Sequence, residues 1–293
     1  MTNNDIYYAR SYAKINLGLH ILNKLPTGYH ELETGFCFLD WYDTIEVKKR
    51  EKKDVLHCNV EGIPVDENNL IIRALNHLRK YINVDTYFDI TLSKRIPAGA
   101  GLGGGSSNAA TILRVVNKMC DLKLTTADLT SLSSGLGADI PLFIEGKTGI
   151  ARGIGTDITF QDLQPEYWIV TVFPDIHSST PEAYRLCTPD PNREFELDRI
   201  LMQEPVEEWP YLLQNDLEQP VIYQHKLIGD LKDHFYEAGS VYASMSGSGS
   251  AVFGLFEQEF VALDAYKELI AHSFRANITA SAFRPDWTIY VKS

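Results

Sequence analysis

The stretch 97–110, PAGAGLGGGSSNAA, constrains this chain more than any other. Five glycines fall within residues 99–105, interrupted only by Ala100 and Leu102, and two serines follow. Glycine admits positive φ and lets a ligand approach the main chain closely. Upstream, YFDITL (87–92) places Phe88, Ile90 and Leu92 on one face, which predicts a strand. Downstream, SSNAATILRVVNKMC places Ala109, Ile112, Leu113, Val116 and Met119 on one face. That predicts an amphipathic helix opening on the two serines. The unit is strand, glycine loop, helix. Successive loop N–H groups form an anion nest, and the helix adds its unpaired N-terminal N–H groups and positive dipole end. Ser106 and Ser107 add hydroxyls. A polyphosphate is the expected guest.

Better-known phosphate loops fit less well. A Walker A loop needs Lys before Ser/Thr, and Gly105 precedes Ser106. Gly99, Gly101 and Gly104 satisfy G-x-G-x-x-G, but the dinucleotide fingerprint needs an acidic residue ending the next strand. Asp121 has about the spacing, yet it follows the helix directly. A protein-kinase loop would be accompanied by H-R-D and D-F-G, which the sequence lacks.

The remaining chain reads as mixed α+β, because strands and helices alternate without a regular βαβ rhythm. Ile15, Leu17, Leu19 and Ile21 alternate within 7–23, predicting a half-buried strand; a second covers Phe36–Val47. Helical spacing covers 68–81, with Asn68 or Asn69 as cap, and 125–136, with Thr126 as cap. Strands are predicted at 140–152 and 167–173, and helices around 195–203, 211–235 and 259–272. A strand–turn–strand unit is expected at 242–256 and a last strand near 287–292. The Pro- and Ser-rich stretch 174–193 reads as loop with one short helix, and KKREKKD and PVEEWP as solvated. A boundary near residue 160 divides the chain into domains 1–160 and 161–293.

The net charge of −12 speaks against a nucleic-acid surface, without excluding a small anion held by main-chain N–H groups. Cys37, Cys58, Cys120 and Cys187 form no C-x-x-C pair, so no metal knuckle or redox motif is expected. Scattered cysteines, no leader-like start and no apolar run of membrane-spanning length predict a cytoplasmic protein with no membrane partner.

PAGAGLGGGSSNAA resembles the phosphate-binding motif of the galactokinase, homoserine kinase, mevalonate kinase and phosphomevalonate kinase superfamily. ARSYAKINLGLHI near the start and SMSGSGSAVFGLF near the end resemble its other two motifs, in the same order. GYHELET (28–34), GLGADIPLFIEG (135–146) and NDLE (215–218) are similar to one branch, whose acceptor is a cytidine-diphosphate-linked methylerythritol of non-mevalonate isoprenoid precursor synthesis. The resemblance runs over almost the whole chain and is weakest between 155 and 240. It implies a ribosomal protein S5-like N-terminal domain and a ferredoxin-like C-terminal domain, with the last strand returning to the first domain and the active site in the cleft between them.

The resemblance further implies ATP-dependent phosphorylation of the acceptor's 2-hydroxyl. Asp139 would accept the hydroxyl proton, and Lys14 would hold that carboxylate ionised and stabilise developing charge; a nearby cation does lower a carboxyl pKa. ATP would lie on Pro97, Ala98, Gly99, Ala100, Gly101, Leu102, Gly103, Gly104, Gly105, Ser106 and Ser107. Tyr29 would stack on the cytosine, His30 would bond its edge, Tyr184 would flank its other side, and Thr180 and Asn16 would lie close by. Mg²⁺ is expected with ATP, held by phosphate oxygens and water with Ser107 in reach. Some members carry a Glu ligand after the loop; Asn108 stands there, so no protein metal ligand is named. The rival readings are a kinase of the same superfamily with another acceptor, a non-catalytic nucleotide-binding module, and an S5-like RNA-binding protein.

Overall fold

The computed structural model describes residues 5–82, 86–193 and 196–292. Two long strands begin it: β1 (Ile6–Lys24) and β2 (His30–Arg50), antiparallel through sixteen paired positions. With β3 (Val55–Cys58), β4 (Tyr87–Ser93), β5 (Gly149–Arg152), β6 (Asp157–Phe160) and β11 (Tyr290–Lys292) they make a seven-stranded sheet, in which β5 pairs with β2 and β6. Its main path runs β11-β1-β2-β4-β3, antiparallel except for β3 against β4. The second sheet is antiparallel, ordered β10-β7-β9-β8, from β7 (Trp168–Phe173), β8 (Tyr242–Met245), β9 (Val252–Phe256) and β10 (Arg275–Thr279). The fold is α+β.

Helices α1 (Leu70–Tyr81), α2 (Gly104–Met119), α3 (Thr126–Leu132) and α4 (Ile140–Glu145) belong with the first sheet. Ile112, Val115 and Val116 of α2 pack there against Phe38, Ile45 and Ile90. Beyond β7 come α5 (Thr180–Leu186), α6 (Leu197–Gln203), α7 (Trp209–Leu212), α8 (Glu218–Gln224), α9 (Lys226–Glu237) and α10 (Glu259–Ala271). Phe235 of α9 and Leu269 of α10 close a core with Val170 and Phe256 of the second sheet. A further core joins the sheets, with Ile15 and Leu17 of β1 against Ile169, Phe253 and Leu255. The two halves therefore share apolar contacts beneath the cleft.

Several local expectations change. The strand containing Ile15–Ile21 is covered on both faces, because the second sheet packs on one side and the glycine loop lies over the polar side. A bulge between Leu17 and Leu19 also breaks the alternation. Residues 140–145 are helical, not extended: Pro141 presets φ in the first turn, and Gly146 ends the helix in a left-handed conformation. The helical pattern of 211–235 is divided into α7, α8 and α9. Strands β3, β6 and β10 are additions; β10 takes the edge of the second sheet through pairs with β7. In PVEEWP, Trp209 is buried, with its ring 5.7 Å from that of Tyr242.

Asn69 caps α1, accepting from Ile71 N at 2.9 Å. The cap of α3 is Thr125 rather than Thr126, reciprocated by Asp128 in a capping box. Thr125→Ala is expected to cost about 1 kcal/mol in urea unfolding, whereas Thr126→Ala should stay within about 0.5 kcal/mol, since alanine favours the first helical turn.

Candidate functional site

The free edge of β1 organises the site. Beyond Tyr8, where β11 stops pairing, Lys14 N–H donates to the Leu102 carbonyl at 3.0 Å, and Asn16 N–H to Ser246 Oγ at 3.2 Å. The glycine loop and the turn between β8 and β9 thus dock side by side. Ala251 N–H donates to the Ala100 carbonyl at 3.1 Å, and Ser246 Oγ to the Gly101 carbonyl at 2.9 Å. Asn215, in the NDLE stretch, fixes the second turn with its amide on the Met245 and Gly247 carbonyls, both at 2.8 Å. Glu218, buried, accepts from Met245 N–H at 2.8 Å and pairs with Lys232.

α2 starts at Gly104, two residues earlier than its sequence pattern suggests. Its cap, Gly103, has φ +68° and supplies no side-chain hydrogen bond, so the first helical N–H groups lack a side-chain cap. Beneath them lies a buried network. Asp43 accepts from Lys94 Nζ at 2.6 Å, Arg95 N at 2.7 Å, Ile96 N at 2.8 Å and Asn108 Nδ2 at 2.9 Å. Asn108 also donates to Ser11 Oγ, and Ser11 to Ser107 Oγ, each at 2.9 Å. Ser107 is therefore buried in this network, while Ser106 is half-buried beside Gly137. The sequence assigns no role to Asp43 or Lys94, and none to Ser246 beyond its place in the SMSGSGSAVFGLF motif.

Cavities lie on both sides of the loop. One, of about 570 Å³, is lined by residues 97–106 with Lys94, Asn68, Asn69 and Leu70. The other, of about 490 Å³, is lined by Lys14, Asn16, Thr34, Asp139, His177, Thr180 and Tyr184. Gly99, Gly101, Gly103 and Thr180 border both. Ala100 and Leu102 turn their side chains into the core, leaving the loop's main chain to the cavities. On the floor of the second cavity the Lys14 ammonium lies 3.5 Å from Asp139 Oδ2. It donates to Asn16 Oδ1 at 2.6 Å and to the Gly101 carbonyl at 3.1 Å. Asn16 Nδ2 donates to Thr34 Oγ1 at 2.8 Å. Asp139 precedes a short helix, not a strand, and its side chain is 29% exposed, accessible to a bound molecule.

Tyr184 lines this cavity; His30 lines neither cavity but lies against it, the two rings 5.1 Å apart and tilted by 31°, so no third ring fits between them. Burial, then the charge of Lys24, pushes the His30 imidazole below its ordinary pKa; it is neutral near pH 7. Burial, then Asp139, pushes the Tyr184 phenol up to about 12. Tyr29 is 63% exposed at the outer turn and lines neither cavity. Thr180 and Ser248 share a 2.6 Å hydroxyl–hydroxyl hydrogen bond, linking α5 to the second glycine turn.

An anion cradle beside a buried lysine and an accessible carboxylate has the makings of a small-molecule phosphotransferase. Comparison with known proteins agrees. The GHMP kinases N terminal domain matches residues 69–147, and the GHMP kinases C terminal domain matches 202–275. A 4-diphosphocytidyl-2-C-methyl-D-erythritol kinase of Chlorobium limicola is 42% identical over 279 residues, 94% of this chain and 96% of that one. The crystal structure of a 4-(cytidine 5'-diphospho)-2C-methyl-D-erythritol kinase, 32% identical, superposes with a TM-score of 0.78 over 93% of this chain and 98% of that one. Homoserine kinase from Cytophaga hutchinsonii shares the fold, with a TM-score of 0.73 over 100% and 98% of the two chains at 16% identity. The chain belongs to the GHMP kinases, and within them to the 4-diphosphocytidyl-2-C-methyl-D-erythritol kinase family. It is an ATP-dependent small-molecule kinase. Among the described residues no helix is long and apolar enough to cross a membrane.

Gly101 has φ +77°, and a Cβ there would collide with the Ser246 carbonyl, whereas Gly135, at φ +78°, has nothing within 4 Å. Gly135→Ala is expected to cost about 1–2 kcal/mol, the left-handed backbone alone. Gly101→Ala should cost more and weaken titrated ATP-analogue binding by at least about tenfold, since the two glycine turns must separate.

Proposed function

We propose that this kinase transfers the γ-phosphoryl group of ATP to the 2-hydroxyl of 4-diphosphocytidyl-2-C-methyl-D-erythritol. The observation that carries this reading is the Lys14–Asp139 pair, 3.5 Å apart, on the floor of the cavity that shares its wall with the glycine loop. ATP phosphates would lie on the main-chain N–H groups of 99–107 and the uncapped start of α2. The acceptor occupies the second cavity, with its hydroxyl at Asp139 Oδ2. Asp139 takes the hydroxyl proton as oxygen attacks phosphorus. Lys14 keeps the carboxylate ionised and offsets charge on the transferring group. Asn16, held by Thr34, fixes the ammonium.

The cytidine end lies toward His30 and Tyr184. A neutral imidazole can donate from one nitrogen and accept at the other, which suits the edge of a base. Because the two rings touch, the base would stack on an outer face, and the exposed Tyr29 ring can fold over it. Thr180 lies beside this path, tied to Ser248.

Magnesium fits the donor set. The ion takes oxygen ligands and is commonly held by one or two carboxylates with phosphates and water. The Ser106 hydroxyl borders the donor-side cavity and could join phosphate oxygens and water in such a shell; Ser107 is committed to Ser11. Bound Mg²⁺ would supply electrostatic stabilisation of the phosphates.

An ADP-release assay with Mg-ATP and three acceptors, the cytidine compound, mevalonate and homoserine, tests the assignment. Turnover is expected with the cytidine compound alone. Turnover with another acceptor only would replace the substrate, and ATP binding without any turnover would favour a binding module. Asp139→Asn is expected to lower kcat by about 10²–10⁴-fold with ATP affinity unchanged, as for loss of a general base.

A further inference from the structure

We propose that His177 is a phosphate-contacting residue of the acceptor cleft, its imidazole meeting a phosphate oxygen where the cleft abuts the glycine loop. The inference rests on the kinase reading above and adds a residue that neither the motifs nor the pairing of Lys14 with Asp139 pointed to. His177 lies in the segment between β7 and α5, over Gly99 of the glycine loop; α5 carries Tyr184. It lines the 490 Å³ cavity and not the cavity across the loop. The ring rests on Gly99: a Cβ there would come within 2.8 Å of Nδ1 and 3.0 Å of Cε1. Among the described residues the ring has no hydrogen-bond partner.

Charge balance gives this placement its meaning. A diphosphate-linked acceptor and a phosphoryl group in transit bring several negative charges into one cleft. Among the described residues lining it, Lys14 and His177 are the two that carry basic side chains. Lys14 is already engaged with Asn16, the Gly101 carbonyl and Asp139. Of these two, His177 is the one with no hydrogen-bond partner among the described residues, exposed and positioned at the loop. An imidazole can donate to phosphate in either protonation state, more strongly when charged. Its partner is a phosphate oxygen, from the acceptor's diphosphate or from the group being transferred.

The test compares wild type, His177→Phe and His177→Gln. Phe keeps a ring against Gly99 but has no N–H; Gln loses the ring but keeps a donor. Loss of a charge-assisted hydrogen bond predicts a fall in kcat/KM of about ten- to a hundredfold for Phe, with Gln recovering part of it. A raised KM for the cytidine substrate alone assigns the contact to the acceptor's diphosphate. A lowered kcat with both KM values unchanged assigns it to the transferred phosphoryl group. A raised KM for ATP alone overturns the acceptor-side placement. Phe matching wild type while Gln falls overturns the proposal in favour of packing on Gly99. Thermal melting identifies a variant that fails to fold, and His177→Ala then replaces it. Titrations with cytidine diphosphate and a non-hydrolysable ATP analogue read the contact without turnover. Should wild type turn over no cytidine compound, the substrate assignment falls, and these titrations still decide His177: unchanged affinity for both ligands in Phe overturns it.

Discussion

The site depends on the unpaired edge of one strand. β1 exchanges main-chain hydrogen bonds with β2 along one side, but β11 covers only Ile6–Tyr8 on the other. The exposed N–H groups that follow need partners, because buried main-chain donors are costly when unmet. Leu102 and Ser246 supply them, bringing two glycine turns from distant parts of the sequence onto one edge. Further along, Leu19 donates to the Gln214 carbonyl at 2.9 Å and accepts from Asp216 N–H at 2.9 Å, adding the NDLE segment. The strand's alternation then points Lys14 and Asn16 toward the cavity while Ile15 and Leu17 enter the core. Satisfying an edge and presenting a cation are one arrangement.

Asp43 performs the corresponding task below the phosphate loop. Its carboxylate is fully buried, and four donors converge on it from two elements that must meet: the exit of β4 and the first turns of α2. A buried ion pair of this kind is a weak source of stability, since desolvation of Lys94 and Asp43 offsets their attraction. Its geometric effect is larger. Arg95, Ile96 and Asn108 are held relative to each other, so the loop between them has fixed ends. Flexible glycines then behave as a shaped cradle, because only their local φ and ψ remain to be set.

Part of this arrangement is legible in the sequence. The strand–loop–helix unit around 97–110 is readable because periodicity changes from two to helical across a run of glycines. Lys14 and Asp139, far apart in sequence, were linked through resemblance alone; no spacing rule joins them. Residues 140–145 misled because a short apolar run fits strand and helix equally, and Pro141 decided the matter. β10 was missed because RANIT has little apolar content and is stabilised by its pairing with β7. The partners of Asp43 and Ser246 are set by tertiary contact, which local pattern does not encode.

The two cavities give the fold a division of labour. Their common border is main chain at Gly99, Gly101 and Gly103 together with Thr180, and in the proposed reaction the stretch without side chains would let a donor phosphate and an acceptor hydroxyl approach from opposite sides. The donor side is built from the loop, the start of α2 and the residues preceding α1. The acceptor side draws on β1, β2, α5 and the turn before α4. In the proposed reading its cytidine end would lie toward His30 and Tyr184, side chains carried by a strand terminus and a short helix, and neither participates in the Asp43 network. Changes at that end can alter what is recognised without disturbing the phosphate cradle. Lys14 reaches the loop through the Gly101 carbonyl and the acceptor cavity through Asp139, and in the proposed reaction that would couple phosphate binding to the reacting hydroxyl.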